Sequence, residues 1–492
     1  MEATAWPESA VRSPPGHHIG GRWQEPSGPE RIPVEDPATG ETIATIAAGN
    51  ATDIDLAVNA AGAAMARARE SRWTPAQRQD ALLALSRAVE TNAEQFAELE
   101  AQDAGKPIFN SRLVDIPGAA AALRYHAGWA TRLAGETMEL SNPGNWSAHT
   151  RREPVGVVGQ IIPWNYPLMG AAAKLGPAIA AGCAVVLKPA EQTSLSTLRL
   201  AELASECGFP PGFVNVVTGW GETAGAALVE HPGVAKISFT GSTPVGTRIA
   251  QSCGLQLKRC TVELGGKSPV IVMPDADLDL AARGIASSIF FNTGQTCSAG
   301  SRLLVHASIA GDLVQRIAAI ARSMRIGPTL DPETRLGPAV SATQRERIAG
   351  FIDAARDAGA NVALGGNRIE RAGYFIEPTI LTGVSPGMAA VEEEIFGPVL
   401  CVMPFETDDL DEIAALANDN RYGLAAYVWT TGLSAAHGLV DRLQAGTVRI
   451  NSGGGADYSM PVGGVKMSGF GRENGREGAI AYTETKSVTM AY

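Results

Sequence analysis

The stretch NTGQTCSAGSRLLV, residues 292–305, sets one cysteine, Cys297, between Thr296 and Ser298, with Gln295, Gly294 and Gly300 close by. Structural thiols normally pack among large aliphatics, so small polar neighbours and flanking glycines suit an accessible nucleophile. An inert buried thiol is the alternative. A second group of residues has the character of an anion site. In AKISFTGSTPVG, residues 235–246, an apolar strand runs into Gly241 and Ser242, with a helix N-cap expected at Thr243 and Pro244 at the first helical position. Unpaired N–H groups and the helix dipole favour phosphate there, and Ser242 adds a hydroxyl donor.

Two further stretches belong to the same chemistry. Gly219, Gly221 and Gly225 in TGWGETAG are spaced one residue longer than GxGxxG, so they read either as a weak dinucleotide fingerprint or as a turn. VVLKPAEQT, residues 185–193, ends a buried strand with Lys188 and Glu191. The lysine suits an adenosine and the carboxylate suits ribose hydroxyls; a surface ion pair is the other reading.

These residues need elements to position them. Residues 55–104 show helical periodicity with no Pro or Gly after Pro75 until Gly105, which predicts long surface helices packed on a later sheet. From about residue 154 the texture changes to short Val/Ile-rich runs, VGVVGQII, CAVVLKP, FVNVVTG and AKISFTG, separated by Ala-rich helical stretches. This alternation predicts βαβ units and a parallel sheet. A second round, from PVIVM near 269 to GPVLCVMPF ending at 405, predicts a second α/β domain. GETMELSNPGNWSAHTRREP (135–154) and TETKSVTMAY at the C terminus fit neither round and are expected to pair as a small separate sheet.

The totals agree. A chain of 492 residues, 45% hydrophobic, is two or three domains' worth, and its 55 glycines suit many tight strand-to-helix turns. A formal charge of −11 with no basic run argues against nucleic acid or an anionic membrane as partner and for small molecules. Six dispersed cysteines form neither a disulfide scaffold nor a CxxC pair, so no metal site is expected and a reducing cytoplasm fits. The start lacks the apolar run of a signal peptide, no membrane span is evident, and His17 and His18 read as part of a flexible polar tail.

Taken as a set, PWNYP (163–167), VELGGKSP (262–269), GQTCSAGSR (294–302), EIFGPV (394–399) and PVGGVKMSGFGRE (461–473) closely resemble the aldehyde dehydrogenase superfamily, from about residue 20 to the end. The resemblance implies an α/β fold: a Rossmann-like dinucleotide-binding domain (21–134 and 155–260), an α/β catalytic domain (261–450), a small bridging sheet for oligomerisation (135–154 and 480–492), a substrate-entrance and return segment (451–479), and a flexible tail over 1–20. It implies Cys297 as nucleophile, Asn165 and the Cys297 backbone N–H as oxyanion donors, Glu263 as general base, and Lys174 with Glu473 as a proton relay or a structural ion pair. For NAD, with NADP as the alternative, it implies Ile162, Pro163, Trp164, Lys188, Glu191, Gly221, Gly225, Phe239, Gly241, Ser242, Leu264, Gly265, Glu394 and Phe396. A homo-oligomer, dimer or tetramer, is implied as well.

For the aldehyde, the resemblance sets Gly170 and Ala173, three residues apart on one helical face, where many relatives acting on small aliphatic substrates carry bulky side chains. Across the entrance lie Gly453, Gly454, Gly455, Ala456 and Val462, leaving Tyr166 and Phe291 as the main rings. A bulky aromatic or long-chain aldehyde is therefore expected over acetaldehyde or betaine aldehyde, unless Met169, Tyr458 or Met460 fill the space. Two rivals remain at this stage. One is a CoA-acylating enzyme, against which Glu263 counts; the other is a non-redox thiol hydrolase or a binding protein on the same fold.

Overall fold

Parallel strands with apolar residues on both faces must be covered by helices on both faces, and that rule shapes the molecule. The computed structural model describes residues 11–455 and 457–492. Its largest sheet has eight strands, in the spatial order Gly469–Phe470, Arg259–Glu263, Lys236–Thr240, Val158–Ile161, Val185–Lys188, Val214–Val216, His17–Ile19 and Arg22–Gln24. The central five are parallel. Numbered along the chain they run 5-4-1-2-3, so the order reverses between Val158–Ile161 and Lys236–Thr240. At such a switch point the loops leaving the two strands diverge and open a crevice for a ligand.

A second sheet of seven strands, Asn361–Leu364, Thr379–Thr382, Val399–Phe405, Arg302–His306, Pro269–Val272, Ala425–Trp429 and Thr447–Ile450, is parallel except at its first member. The return segment joins the two sheets. Gly469–Phe470 adds antiparallel to Arg259–Glu263, with Gly469 opposite Glu263, while Ser468 accepts from Leu264 N through its carbonyl (3.0 Å) and donates through Oγ to Gly265 O (2.7 Å). The stretches 135–154 and 483–492 do pair: Trp146–Pro154 runs antiparallel to Thr483–Ala491, with Thr137–Met138 on its other side.

The expected helical region resolves into Ala51–Ser71, Pro75–Thr91 and Ala93–Asp103. The first two start at capping boxes, Asn50 with Asp53 and Thr74 with Gln77, which satisfy N–H groups no helix can satisfy internally. Pro75–Thr91 packs on the helices Ile116–Ala127 and Pro167–Ala181, not directly on a sheet.

Two local expectations are corrected. The flexible tail does not extend to residue 20. His17–Ile19 is a buried strand, in which His17 is held by Thr218 (3.3 Å to both its N and Oγ1) and by Asp53 (3.6 Å), partners that lie far along the chain. Burial accordingly pushes the His18 imidazole down to about 4. The part of the expected tail covering residues 1–10 falls outside the described residues. The N-cap expected at Thr243 is Ser242, one residue earlier; its side chain makes no capping bond, while Thr243 Oγ1 donates to Met467 O (3.2 Å). Among the described residues no helix is long and apolar enough to cross a membrane.

Candidate active site

Four of the five parallel strands end in, or lead directly into, candidate site residues. Lys188 ends Val185–Lys188, Glu263 ends Arg259–Glu263, Gly241 and Ser242 follow Lys236–Thr240, and Ile162, Pro163, Trp164 and Asn165 follow Val158–Ile161. All lie at the same, carboxyl, edge of the parallel block. From the second sheet's side, Cys297 enters on the loop between the helix Leu278–Phe290 and the strand Arg302–His306.

That loop turns sharply. Asn292 (φ 51°), Thr293 (φ 57°) and Gly294 (φ 70°) are all left-handed, a conformation costing on the order of 1–2 kcal/mol for a residue with a Cβ. Gly294 has no substitute here, since a Cβ would lie 2.1 Å from Gly397 O. Side chains hold the turn: Asn292 Nδ2 donates to Asn165 O (3.1 Å) and Gln295 O (3.2 Å), and Val340 N donates to Gln295 Oε1 (2.9 Å). Asn165 is buried, and its Nδ2 donates to Gln295 O (3.0 Å). This fixes the amide plane beside Cys297 with one N–H to spare.

The electrostatics oppose charge. Burial, then the carboxylates of Glu263 and Glu394, push the half-buried Cys297 thiol up to about 12. Glu263 is held well above the usual carboxylate range by burial and by Glu473, against Lys174 and Arg472, and its Oε1 has no hydrogen-bond partner. Beneath it, Lys174 contacts Glu473, and Ser238 Oγ lies 3.0 Å from Lys174 Nζ and 3.1 Å from Glu473 Oε1.

The cofactor candidates gather on the same crevice. Lys188 Nζ donates to Pro189 O (2.7 Å) and lies 3.5 Å from Glu191, so the ion pair foreseen as an alternative exists beside the crevice. Gly221 has open space where a Cβ would stand, and Gly225 lies against the Lys188 stem at 3.6 Å. A Cβ on Gly241 would strike the Phe239 ring at 2.5 Å, and one on Gly265 would meet Glu394 Oε2 at 2.2 Å. Leu264 is buried under this turn, packed on Gly246. Glu394 Oε1 accepts from Gly266 N (3.1 Å), and burial pushes its carboxyl up to about 7. Phe396, itself left-handed (φ 57°), meets Trp164 edge to face at 5.1 Å. A narrow cleft opens between Thr296, Glu394 and Phe396. Bare backbone at a helix N-terminus, a free glycine at Gly221 and buried carboxyls able to accept from hydroxyls are the donor and acceptor set a dinucleotide requires, so these residues fit one.

Of the substrate candidates, Gly170, Ala173, Phe291 and Val462 are half-buried. Gly170, Gly454 and Gly455 have room for a side chain, the nearest atom to a Cβ on Gly170 being Ile162 at 3.9 Å. Met169 Sδ and the Tyr458 hydroxyl meet over Gly118, and Met460 is 63% exposed. Val462 pairs with Glu473 through two backbone bonds, 2.8 and 2.7 Å, tying the entrance segment to the Lys174 contact. Tyr166, expected as a tunnel ring, has its hydroxyl 2.8 Å from Thr296 Oγ1. Ala456 lies outside the described residues.

Several participants were not foreseen. Asn292 and Gln295 lie within the motif, but only the folded turn gives them partners; Ser238 is a polar residue in an apolar strand, a signal that was available. Tyr427, whose hydroxyl donates to Ser298 O (2.7 Å), gave no signal in sequence.

Comparison with known proteins adds an independent line. Residues 23–488 match the model described as the aldehyde dehydrogenase family. The phenylacetaldehyde dehydrogenase of Pseudomonas fluorescens is 45% identical over 488 residues, covering 98% of this chain and 97% of that protein. The NAD+ complex of an aldehyde dehydrogenase from Bacillus cereus superposes with a TM-score of 0.94 at 42% identity, covering 97% of this chain and 96% of that one. The indole-3-acetaldehyde dehydrogenase of P. syringae, solved as a variant with NAD+ and IAA, gives 0.95 at 40% identity, covering 98% and 97%.

The opposed charges yield a prediction about the free protein. Iodoacetamide alkylation of Cys297, followed by peptide mass spectrometry, rises about tenfold per pH unit through pH 9 without a plateau, because the thiol stays mostly protonated. Glu263→Gln removes a neighbouring negative charge, which lowers the thiol's affinity for its proton, so alkylation at pH 9 becomes faster. A slower or unchanged rate in that variant contradicts the arrangement.

Proposed function

The chain belongs to the aldehyde dehydrogenase family, and from that membership we propose how its own residues carry out NAD-dependent aldehyde oxidation, and on which aldehydes. The observation that carries the reading is the pairing of Cys297 with a buried Glu263 whose Oε1 has no protein partner. A carboxyl kept protonatable and unpaired beside a nucleophile suits a base that takes a proton from water.

Having lost its proton to Glu263, which passes it out by way of Lys174 and Glu473, Cys297 Sγ adds to the aldehyde carbon as the thiolate. The oxyanion that forms accepts from the free Asn165 N–H and the Cys297 backbone N–H, donors already oriented before the charge develops. NAD, when bound, supplies the acceptor for the hydride that leaves that carbon. Ser242, the turn at Gly221 and Gly225, Lys188 and Glu191 would hold its phosphates and adenosine end, and Glu394 and Phe396 its nicotinamide end. The thioester left on Cys297 is opened by water whose proton passes to Glu263 Oε1. The carboxylic acid departs, and Cys297 keeps its sulfur, which takes that proton back as the thiol. One aldehyde, one NAD+ and one water thus give one acid, one NADH and one proton.

The favoured substrates are bulky aromatic or long-chain aldehydes. The small side chains at Gly170 and Ala173 and the open glycines of the entrance segment support this, as do two relatives named for arylacetaldehydes. NAD is preferred over NADP, since a 2'-phosphate would meet the Glu191 carboxylate. Release of the acid to water, not to a thiol carrier, follows from Glu263. The protein works as a homo-oligomer in the cytoplasm: the edge of Thr483–Ala491 away from Trp146–Pro154 offers a long row of backbone groups, with Met490 and Tyr492 exposed beside it.

Stopped-flow absorbance at 340 nm tests the base. Glu263→Gln is expected to give a full burst of NADH followed by a steady phase about 10²-fold slower than wild type, because an amide cannot take a proton from water. A steady rate equal to wild type removes Glu263 from the mechanism. Specificity is checked by Ala173→Trp. In the wild type, phenylacetaldehyde-like and C8 or longer aldehydes have a higher kcat/KM than acetaldehyde, and the tryptophan reverses the order by filling the tunnel. Acetaldehyde as the best wild-type substrate contradicts the wide tunnel.

A further inference from the structure

The loop bearing Cys297 holds a strained shape, and strained loops persist only where their surroundings over-determine them. Thr293 Oγ1 donates to Gly337 O (3.0 Å), Asn292 and Gln295 are bonded as described above, and the residues flanking the nucleophile are held by the 2.8 Å bond between Tyr166 and Thr296 on one side and by Tyr427 on Ser298 O on the other. Tyr166 is in turn fixed from the opposite side. The Lys106 ammonium, fully buried, stands 4.2 Å from its ring centroid. That ammonium is 2.9 Å from Asp115 and 3.5 Å from Glu100, both buried as well. Glu100 Oε1 accepts from Leu168 N (2.6 Å) and from Ser196 Oγ (3.3 Å), so the same carboxylate anchors the first turn of the helix Pro167–Ala181 that Tyr166 precedes.

The Lys106 ammonium therefore rests on the Tyr166 ring with two carboxylates at its back, and among the described residues no bond joins any of the three to Cys297, Glu263 or Asn165. Buried ion clusters are a poor source of stability; their attested use is to fix one arrangement among several.

We propose that Tyr166 is a positioning residue for the nucleophile: its ring, seated on the Lys106–Asp115–Glu100 cluster, holds Thr296 by its hydroxyl and so sets the direction in which Cys297 meets the aldehyde. The role differs from that of a tunnel wall. It rests on Cys297 being the nucleophile. Loss of the hydroxyl frees Thr296 while leaving the ring and its contact with Lys106 in place, and a reacting atom displaced by a fraction of an ångström loses rate, not affinity.

The test is a double-mutant cycle on the full chain, read from the NADH burst. Tyr166→Phe and Thr296→Val each slow the burst about tenfold, and the double variant is no slower than the slower single, since both remove one bond. KM values for acetaldehyde, octanal and phenylacetaldehyde and the Kd for NAD stay within about twofold of wild type. Thr296→Ser, which keeps the hydroxyl, retains the wild-type burst, and Thr296→Ala, which removes it, takes the place of Thr296→Val in the cycle if that variant does not fold. The proposal is overturned by an unchanged burst in Tyr166→Phe, by single effects that multiply in the double variant, or by KM changes that grow with aldehyde size, the mark of a tunnel wall. Turnover by Cys297→Ala is a separate result, which strikes the nucleophile assignment itself.

Discussion

Two acids that must lose protons share one desolvated crevice, and the rest of the structure is arranged around that constraint. Glu263 and Glu394 raise the affinity of the Cys297 thiol for its proton, while burial and Glu473 do the same for the Glu263 carboxyl. Two negative charges this close in a buried site do not persist together. In the mechanism we propose, the charge alternates between them: the sulfur carries it when it attacks, and the carboxyl takes a proton when water attacks. Lys174, in contact with Glu473 and pulling Glu263 back toward ionisation, gives that alternation an outlet.

Holding such groups in place requires backbone that most sequences avoid. The left-handed run at Asn292, Thr293 and Gly294 swings Cys297 out of the helix Leu278–Phe290 and toward Asn165. The return segment performs the complementary task. By adding Gly469–Phe470 beside Glu263 and pairing Val462 with Glu473, it closes the crevice with the same stretch of chain that forms the substrate entrance. The strand order of the large sheet explains why everything meets there, since its switch point opens next to the strand that ends in Glu263.

Much of this was legible in the sequence because it is local. Strand-to-helix turns advertise themselves through glycine, proline and period-two apolar runs, so the parallel block, the Ser242 turn and the small separate sheet could all be placed beforehand. Cys297 could be singled out from its own neighbours, whereas Asn165 and Glu263 needed the family resemblance. What stayed hidden depends on distant partners. His17 and His18 look like tail residues until the edge at Val214–Val216 gives them a sheet to join. Lys106 and Asp115 carry charge that normally marks a surface, and nothing nearby in sequence shows that they bury each other under Tyr166. The direction of the Tyr166 ring is a tertiary fact of the same kind.

In the proposed mechanism the aldehyde carbon becomes bonded to Cys297 and to no other of the six cysteines. Acid quench of Glu263→Gln within the first turnover with phenylacetaldehyde and NAD, followed by peptide mass spectrometry, tests it directly. One acyl group, stoichiometric with the NADH formed, is expected on the peptide containing Cys297. Stoichiometric NADH with that peptide unmodified, or with the acyl group on a different cysteine, would contradict it.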